Sequence, residues 1–142
     1  MYETILVPTD GSIQSDAAVD HAVKLARHHG SEIHVLYVAD SNRDSLTTQG
    51  GEVVDALEHE GDQIVSDAVD RADAGTDIVS EVLTGDPVET ILDYADSVGA
   101  GLIVMGTAGR RGLDRFLLGS TTERVVRLSS VPVLTIRAEE GE

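Results

Sequence analysis

Strand-like and helix-like segments alternate along this sequence, and the alternation predicts an α/β fold. The architecture expected is an open, mostly parallel, doubly wound five-stranded sheet with helices on both faces, occupying residues 1–142 as one domain. Three observations carry that expectation. Short runs such as Thr4-Ile5-Leu6-Val7 and Leu102-Ile103-Val104-Met105 are apolar without alternation, as strands covered on both faces are. Between such runs lie stretches with apolar residues at helical spacing, long enough to act as crossovers. Clusters containing Gly, Pro, Asp and Ser punctuate the junctions.

The first strand spans Thr4 to Val7 and ends at Pro8-Thr9-Asp10-Gly11-Ser12. A helix follows from about Ser15, with Ala18, Val19, Ala22, Val23 and Ala26 on one face. Gly30 stops it, because glycine accepts the left-handed conformation that closes a helix. Ile33 to Val38 form the second strand, and polar, glycine-ended Asp40 to Gly51 reads as a mobile loop. The second helix covers about Glu52 to Ala74, its apolar stripe opposite a solvated acidic one. Gly61 interrupts it at a cost of roughly 1 kcal/mol against alanine. Ile78 to Leu83 make the third strand. Asp86-Pro87-Val88-Glu89 supplies a cap, a proline at the first helical position and a glutamate at the third, opening a helix to about Val98. The fourth strand is Leu102 to Met105, and the fourth helix begins near Ser120. A fifth strand runs from Val131 to Ile136, where Pro132 suits an edge position.

In sheets of this kind ligands sit at the carboxyl ends of the strands, beside a switch in strand order. Pro8, Thr9 and Asp10 after strand one, Val38 ending strand two, and Met105-Gly106 ending strand four all fall on that edge. After strand four comes Gly106-Thr-Ala-Gly109-Arg110, then Gly119-Ser120-Thr121-Thr122 leading into a helix. Backbone N–H groups at a helix start lack internal partners, the helix dipole favours negative charge there, and glycines let a ligand approach closely. A phosphate fits such a loop. Charge points the same way. The chain has 10 Lys and Arg against 26 Asp and Glu, net −16, yet Arg110, Arg111, Arg115, Arg124 and Arg127 gather in this loop and its helix. Single positions keep two readings. Asp10 either caps the next helix with Ser12 or holds a ribose hydroxyl or a phosphate-bound Mg²⁺. Ser120 and Thr121 serve as caps, phosphate ligands or both. Val38 is a core residue whose backbone is open to an adenine edge.

Composition excludes much else. No cysteine is present, which removes disulfides, thiolate metal sites and a cysteine nucleophile. The sequence carries neither a P-loop nor the dinucleotide glycine fingerprint. A receiver domain needs an acidic pair after strand one and a lysine after strand five, and neither is here. The five histidines show no metal-ligand spacing and read as structural. No transmembrane segment or signal peptide is recognisable, so a cytoplasmic protein is expected. A field this negative argues against nucleic acid or an anionic membrane as partner. With Lys24 the single lysine, the acid-rich surface matches proteins of salt-loving organisms, where screening offsets self-repulsion.

Ile5-Leu6-Val7-Pro8-Thr9-Asp10-Gly11-Ser12, the strand Leu102–Gly106 and the spacing Gly106-x2-Gly109-x9-Gly119-Ser120 together resemble the universal stress protein family. Gly85-Asp86-Pro87 and Val131-Pro132-Val133 extend the resemblance over nearly the whole chain. It implies a flavodoxin-like adenine-nucleotide-binding fold, ATP with Mg²⁺ as ligand, and a homodimer paired through Val131–Ile136. By the same resemblance Asp10 contacts ribose or metal, and the Val38 backbone reads adenine. Gly106, Gly109, Gly119, Ser120 and Thr121 cradle phosphates, with Pro8, Thr9, Met105, Arg110 and Thr122 beside them. Two departures stand out. Ala108 occupies a position where many members carry histidine, and Gly101 replaces the acid usual before strand four. A cytoplasmic stress-response regulatory protein is therefore expected. No residue set near the loop pairs a strong general base with an orienting partner, so hydrolysis is expected to be slow or absent. The alternatives are a slow ATPase or nucleotidyl-transfer enzyme, and a dimeric module that binds no nucleotide.

Overall fold

The computed structural model describes residues 2–40, 51–72, 75–107 and 118–138. Strands and helices alternate as expected. The elements are β1 (Thr4–Pro8), α1 (Ile13–His29), β2 (Glu32–Asp40), α2 (Gly51–Arg71), β3 (Asp77–Gly85), α3 (Pro87–Val98), β4 (Leu102–Gly106), α4 (Ser120–Leu128) and β5 (Val133–Ile136). The loop expected at Asp40–Gly51 falls largely on residues 41–50, outside the described residues.

The strands form one parallel sheet in the order β3-β2-β1-β4-β5. The chain moves outward from β1 through β2 to β3, then returns to the other side of β1 for β4 and β5. The switch point therefore lies between β1 and β4. Side chains alternate across the sheet, and both faces are covered, which explains the continuous apolar runs. Ile5, Val7, Ile33, Val35, Leu102 and Val104 face α1 and α2, where Val19, Ala22, Val65 and Ala68 meet them. Leu6, Leu36, Ile103 and Met105 face α3 and α4, packing with Val88, Ile91 and Val125.

Local chemistry sets the ends. Ser12 caps α1, its Oγ accepting the Ser15 N–H at 3.1 Å, so the helix begins two residues before Ser15. Gly30 closes it with φ +66°, and Gly99 closes α3 in the same way. Asp86 caps α3 as expected, accepting the Glu89 N–H at 3.0 Å, with Pro87 at the first turn. The last strand starts later than Val131. The Ser129 Oγ accepts the Val131 N–H at 3.0 Å and donates to the Val131 carbonyl, a local turn that holds the chain out of the ladder until Val133. Gly61 proves to be a packing residue: a Cβ there would stand 2.3 Å from Cδ2 of the buried Tyr37 ring. The histidines are occupied structurally where partners are seen. His34 joins β2 to α3, with Nδ1 2.8 Å from the Tyr94 hydroxyl and Nε2 2.9 Å from Glu32. The His29 ring meets Tyr2 edge-on.

Candidate functional site

Two helix N-termini, those of α1 and α4, converge on the carboxyl ends of β1 and β4. The segment between β1 and α1 is a knot of short hydroxyl side chains. The Thr9 hydroxyl donates to Ser15 Oγ at 2.9 Å and accepts the Gly11 N–H at 3.2 Å. Asp10 Oδ1 accepts the Ser12 N–H at 3.0 Å and the Ser15 hydroxyl at 3.2 Å. Asp10 thus does local work in the turn while its half-buried carboxylate stays at the edge of the sheet. Ser15 was not singled out from sequence. Its buried hydroxyl lies at the centre of this network, and the signal was only its place three residues after a capping serine.

Gly106 ends β4 against the first turn of α1. A Cβ at this position would fall 2.7 Å from the Gln14 carbonyl carbon and 2.8 Å from its oxygen. Close helix packing therefore requires glycine here, whatever else binds. The chain then leaves the sheet at Thr107 and returns at Gly119, whose N–H donates to the Thr107 carbonyl at 2.7 Å. The two feet of the loop are fastened together. Gly109 and Arg110, with Arg111 and Arg115, lie outside the described residues.

Among the described residues, helix α4 opens without a side-chain cap. Gly119 is its N-cap residue and makes no side-chain hydrogen bond, so Ser120 is already inside the helix and exposed. The first intrahelical bond runs from the Glu123 N–H to the Gly119 carbonyl at 2.9 Å. The N–H groups of Ser120, Thr121 and Thr122 precede it and have no partner within the helix. Thr122 is buried, and its hydroxyl donates to the Gly106 carbonyl at 2.9 Å. Its side chain clasps α4 to β4, which leaves its backbone N–H as the group it can offer. Of the helix arginines, Arg127 pairs with Glu123 at 2.9 Å on an exposed face.

Pro8, Val38 and Met105 occupy the edge through their backbones. Pro8 is buried, and the Met105 side chain belongs to the core beneath α3 and α4, with Val38 packed against it. The Thr9 N–H donates to the Leu36 carbonyl at 2.8 Å, joining β2 to the end of β1. Val38, two residues on, turns its N–H and carbonyl to that same side, beyond the end of β1. A groove of about 500 Å³ lies nearby between α1 and α2, lined by Gly11, Asp16, Glu60, Gln63, Ile64, Asp67 and Arg71. Its walls are acidic, and Arg71 is bonded to both Asp20 oxygens, at 3.1 and 2.7 Å. An anion has little reason to choose it over the helix N-termini.

A doubly wound parallel sheet with a helix start and a glycine-packed strand end at its switch point defines an open α/β domain of the flavodoxin-like type. The chain belongs to the universal stress protein family, whose model matches residues 1–137. Universal stress protein MJ0531 of Methanocaldococcus jannaschii is 37% identical, covering 100% of this chain and 86% of that protein. The solved structure of hypothetical protein MJ0577, used for a structure-based assignment of biochemical function, is 29% identical with a TM-score of 0.88, covering 99% of each chain. A universal stress protein crystallised in complex with cAMP is 32% identical with a TM-score of 0.75, covering 97% of this chain and 99% of its own. Among the described residues no helix is long and apolar enough to cross a membrane.

Proposed function

We propose that this chain is a cytoplasmic stress-response regulatory protein that binds ATP at the carboxyl edge of its sheet. The observation carrying this reading is the start of α4 after Gly119, which sets the first-turn N–H groups of Ser120, Thr121 and Thr122, without partners inside the helix, beside the ends of β4 and β1. Phosphates satisfy those donors and the dipole behind them. The related protein that holds cAMP supports an adenine nucleotide as the ligand class. Val38, with its backbone turned past β1, suits the adenine edge, and Asp10 suits ribose or Mg²⁺. Magnesium usually keeps several waters and rests on phosphates plus one or two carboxylates, so a single aspartate fits that role. Regulation through binding is preferred to turnover. The hydroxyls of Thr9, Ser15, Thr107 and Thr122 are committed to protein partners, which leaves them poorly placed to activate a water. We further propose a homodimer paired through β5, an outer strand of the sheet whose four side chains are only half buried.

Calorimetry with Mg-ATP, ADP and adenosine tests the ligand. Affinity is expected to fall in that order, by tenfold or more overall, as charge-assisted contacts are lost; tenfold corresponds to about 1.4 kcal/mol. Ser120→Ala removes a hydroxyl but keeps the helix N–H groups, so its ATP affinity should stay within a few-fold of wild type. Equal affinity for ATP and adenosine would remove the phosphate cradle and leave the loop as a structural turn.

A further inference from the structure

Thr107 is fastened on three sides. Its N–H donates to the Ile136 carbonyl at 3.0 Å, and its carbonyl accepts the Gly119 N–H at 2.7 Å. Its hydroxyl donates to Gln14 Oε1 at 3.2 Å. That same oxygen accepts the Ala138 N–H at 2.9 Å, where the chain leaves β5. A backbone N–H can only donate, which fixes the Gln14 carbonyl oxygen, not its NH₂, in this position. Gln14 is half buried, and its backbone lies so close to Gly106 that no Cβ fits between them. One carboxamide oxygen therefore ties the start of α1 both to the foot of the loop and to the chain after β5.

We infer that Gln14 is the positioning residue for the phosphate cradle: it sets Thr107, and through the Thr107–Gly119 bond it sets where the α4 N–H groups point. The inference rests on the phosphate reading above and extends it to a side chain that touches no phosphate. The mechanism is geometric. Thr107 and Gly119 are the two feet of the loop, and α4 begins directly after Gly119, so a shift at Thr107 is passed to the donors of Ser120 and Thr121. Charge-assisted hydrogen bonds weaken steeply with misalignment. The adenosine part of the ligand lies toward β2 in this scheme and does not depend on Thr107.

Gln14→Met keeps the length of the side chain and removes the acceptor, and Thr107→Val removes the hydroxyl from the other side of the same contact. The test is calorimetry of the full chain with Mg-ATP and with adenosine, alongside melting temperatures. Gln14→Met and Thr107→Val are each expected to weaken ATP binding about tenfold while adenosine affinity stays within twofold. The double variant should lose little more than Gln14→Met alone, because that substitution already removes the Thr107 contact along with the Ala138 one. Thr107→Ser, which retains the hydroxyl, should bind ATP like wild type. A role confined to stability would lower the melting temperature and leave the ATP-to-adenosine ratio unchanged, and that result overturns the inference. If Gln14→Met fails to fold, Thr107→Val and Thr107→Ser read the same contact alone. Wild-type protein that does not distinguish ATP from adenosine takes down the phosphate reading and this inference together. Wild-type discrimination kept intact in the variants takes down only the role of Gln14.

Discussion

Asp16 stands in the first turn of α1, on the wall of the acidic groove, 3.7 Å from the Arg71 guanidinium. Burial pushes its carboxyl above the usual aspartate range; Arg71 pulls it back, while Asp20, Asp10 and Asp67 repel it. A carboxyl that holds its proton more tightly when folded stabilises the fold fully below its unfolded pKa. That contribution is lost as pH rises through the folded value. At neutral pH the charged form is therefore disfavoured in the fold. Asp16→Asn is expected to raise the melting temperature at pH 7 in low salt, with the gain vanishing at acid pH, where the aspartate is neutral as well. Thermal melts at the two pH values check this, and a lower melting temperature at pH 7 would mean that the Arg71 contact outweighs the burial. Residue-scale chemistry was the least legible part of the sequence. Gly106 read as a place for close approach of a ligand, but it also makes room for Gln14, which lies far away in the chain. Gln14 itself looked like any polar residue near a helix start, since nothing local announces a partner 124 positions on.

At the scale of elements, β5 is the one to test. It lies at the end of the sheet opposite β3, with β4 on one side only. Val126 and Leu128 are exposed on the neighbouring α4. An open strand edge flanked by exposed apolar side chains invites pairing with a second copy, and antiparallel pairing about a two-fold axis closes the contact. Pro132 and Ile136 turn their carbonyls to β4, so Thr135 turns its backbone to the open edge; Thr135→Pro removes an edge donor, and Val133→Asp puts a charge into the strand. Both should shift the protein from dimer to monomer in light scattering at high salt, with the wild type dimeric at about micromolar concentrations, a range where interface losses of a few kcal/mol are visible. A wild-type monomer under those conditions sinks the proposal. Element ends were legible where a residue sets them locally, as the side-chain cap of Asp86, Pro87 in the first turn and the left-handed Gly30 show. They were misjudged where pairing decides. β3 runs from Asp77 to Gly85 because all nine residues find partners on β2, although its flanks look too polar for a strand. The start of β5 moved the other way, since a serine turn withholds Val131 from the ladder.

For the molecule as a whole, charge sets how stability responds to salt. A net charge of −16 on 142 residues implies self-repulsion that screening relieves, the Debye length being about 10 Å at 0.1 M salt and about 3 Å at 1 M. Melting temperature is expected to rise steeply from low to molar potassium chloride. A flat response would remove the salt-adapted reading of the surface while leaving the fold untouched. The architecture itself was legible because buried parallel strands announce themselves as unbroken apolar runs between amphipathic helices. The carboxyl edge proposed for the site follows from the same alternation.

The bond between Ala138 and Gln14 also has a meaning in time. During synthesis Gln14 emerges 124 positions ahead of its partner Ala138. The β1–β2–β3 half of the sheet can pair before then, β4 can add to the other side of β1, and β5 can add only after β4. Non-local closure of this kind is a slow step. A nascent chain that has made β4 but not β5 has Thr107 without its Ile136 bond and Gln14 without its Ala138 bond, so the foot of the loop is set only once β5 is in place.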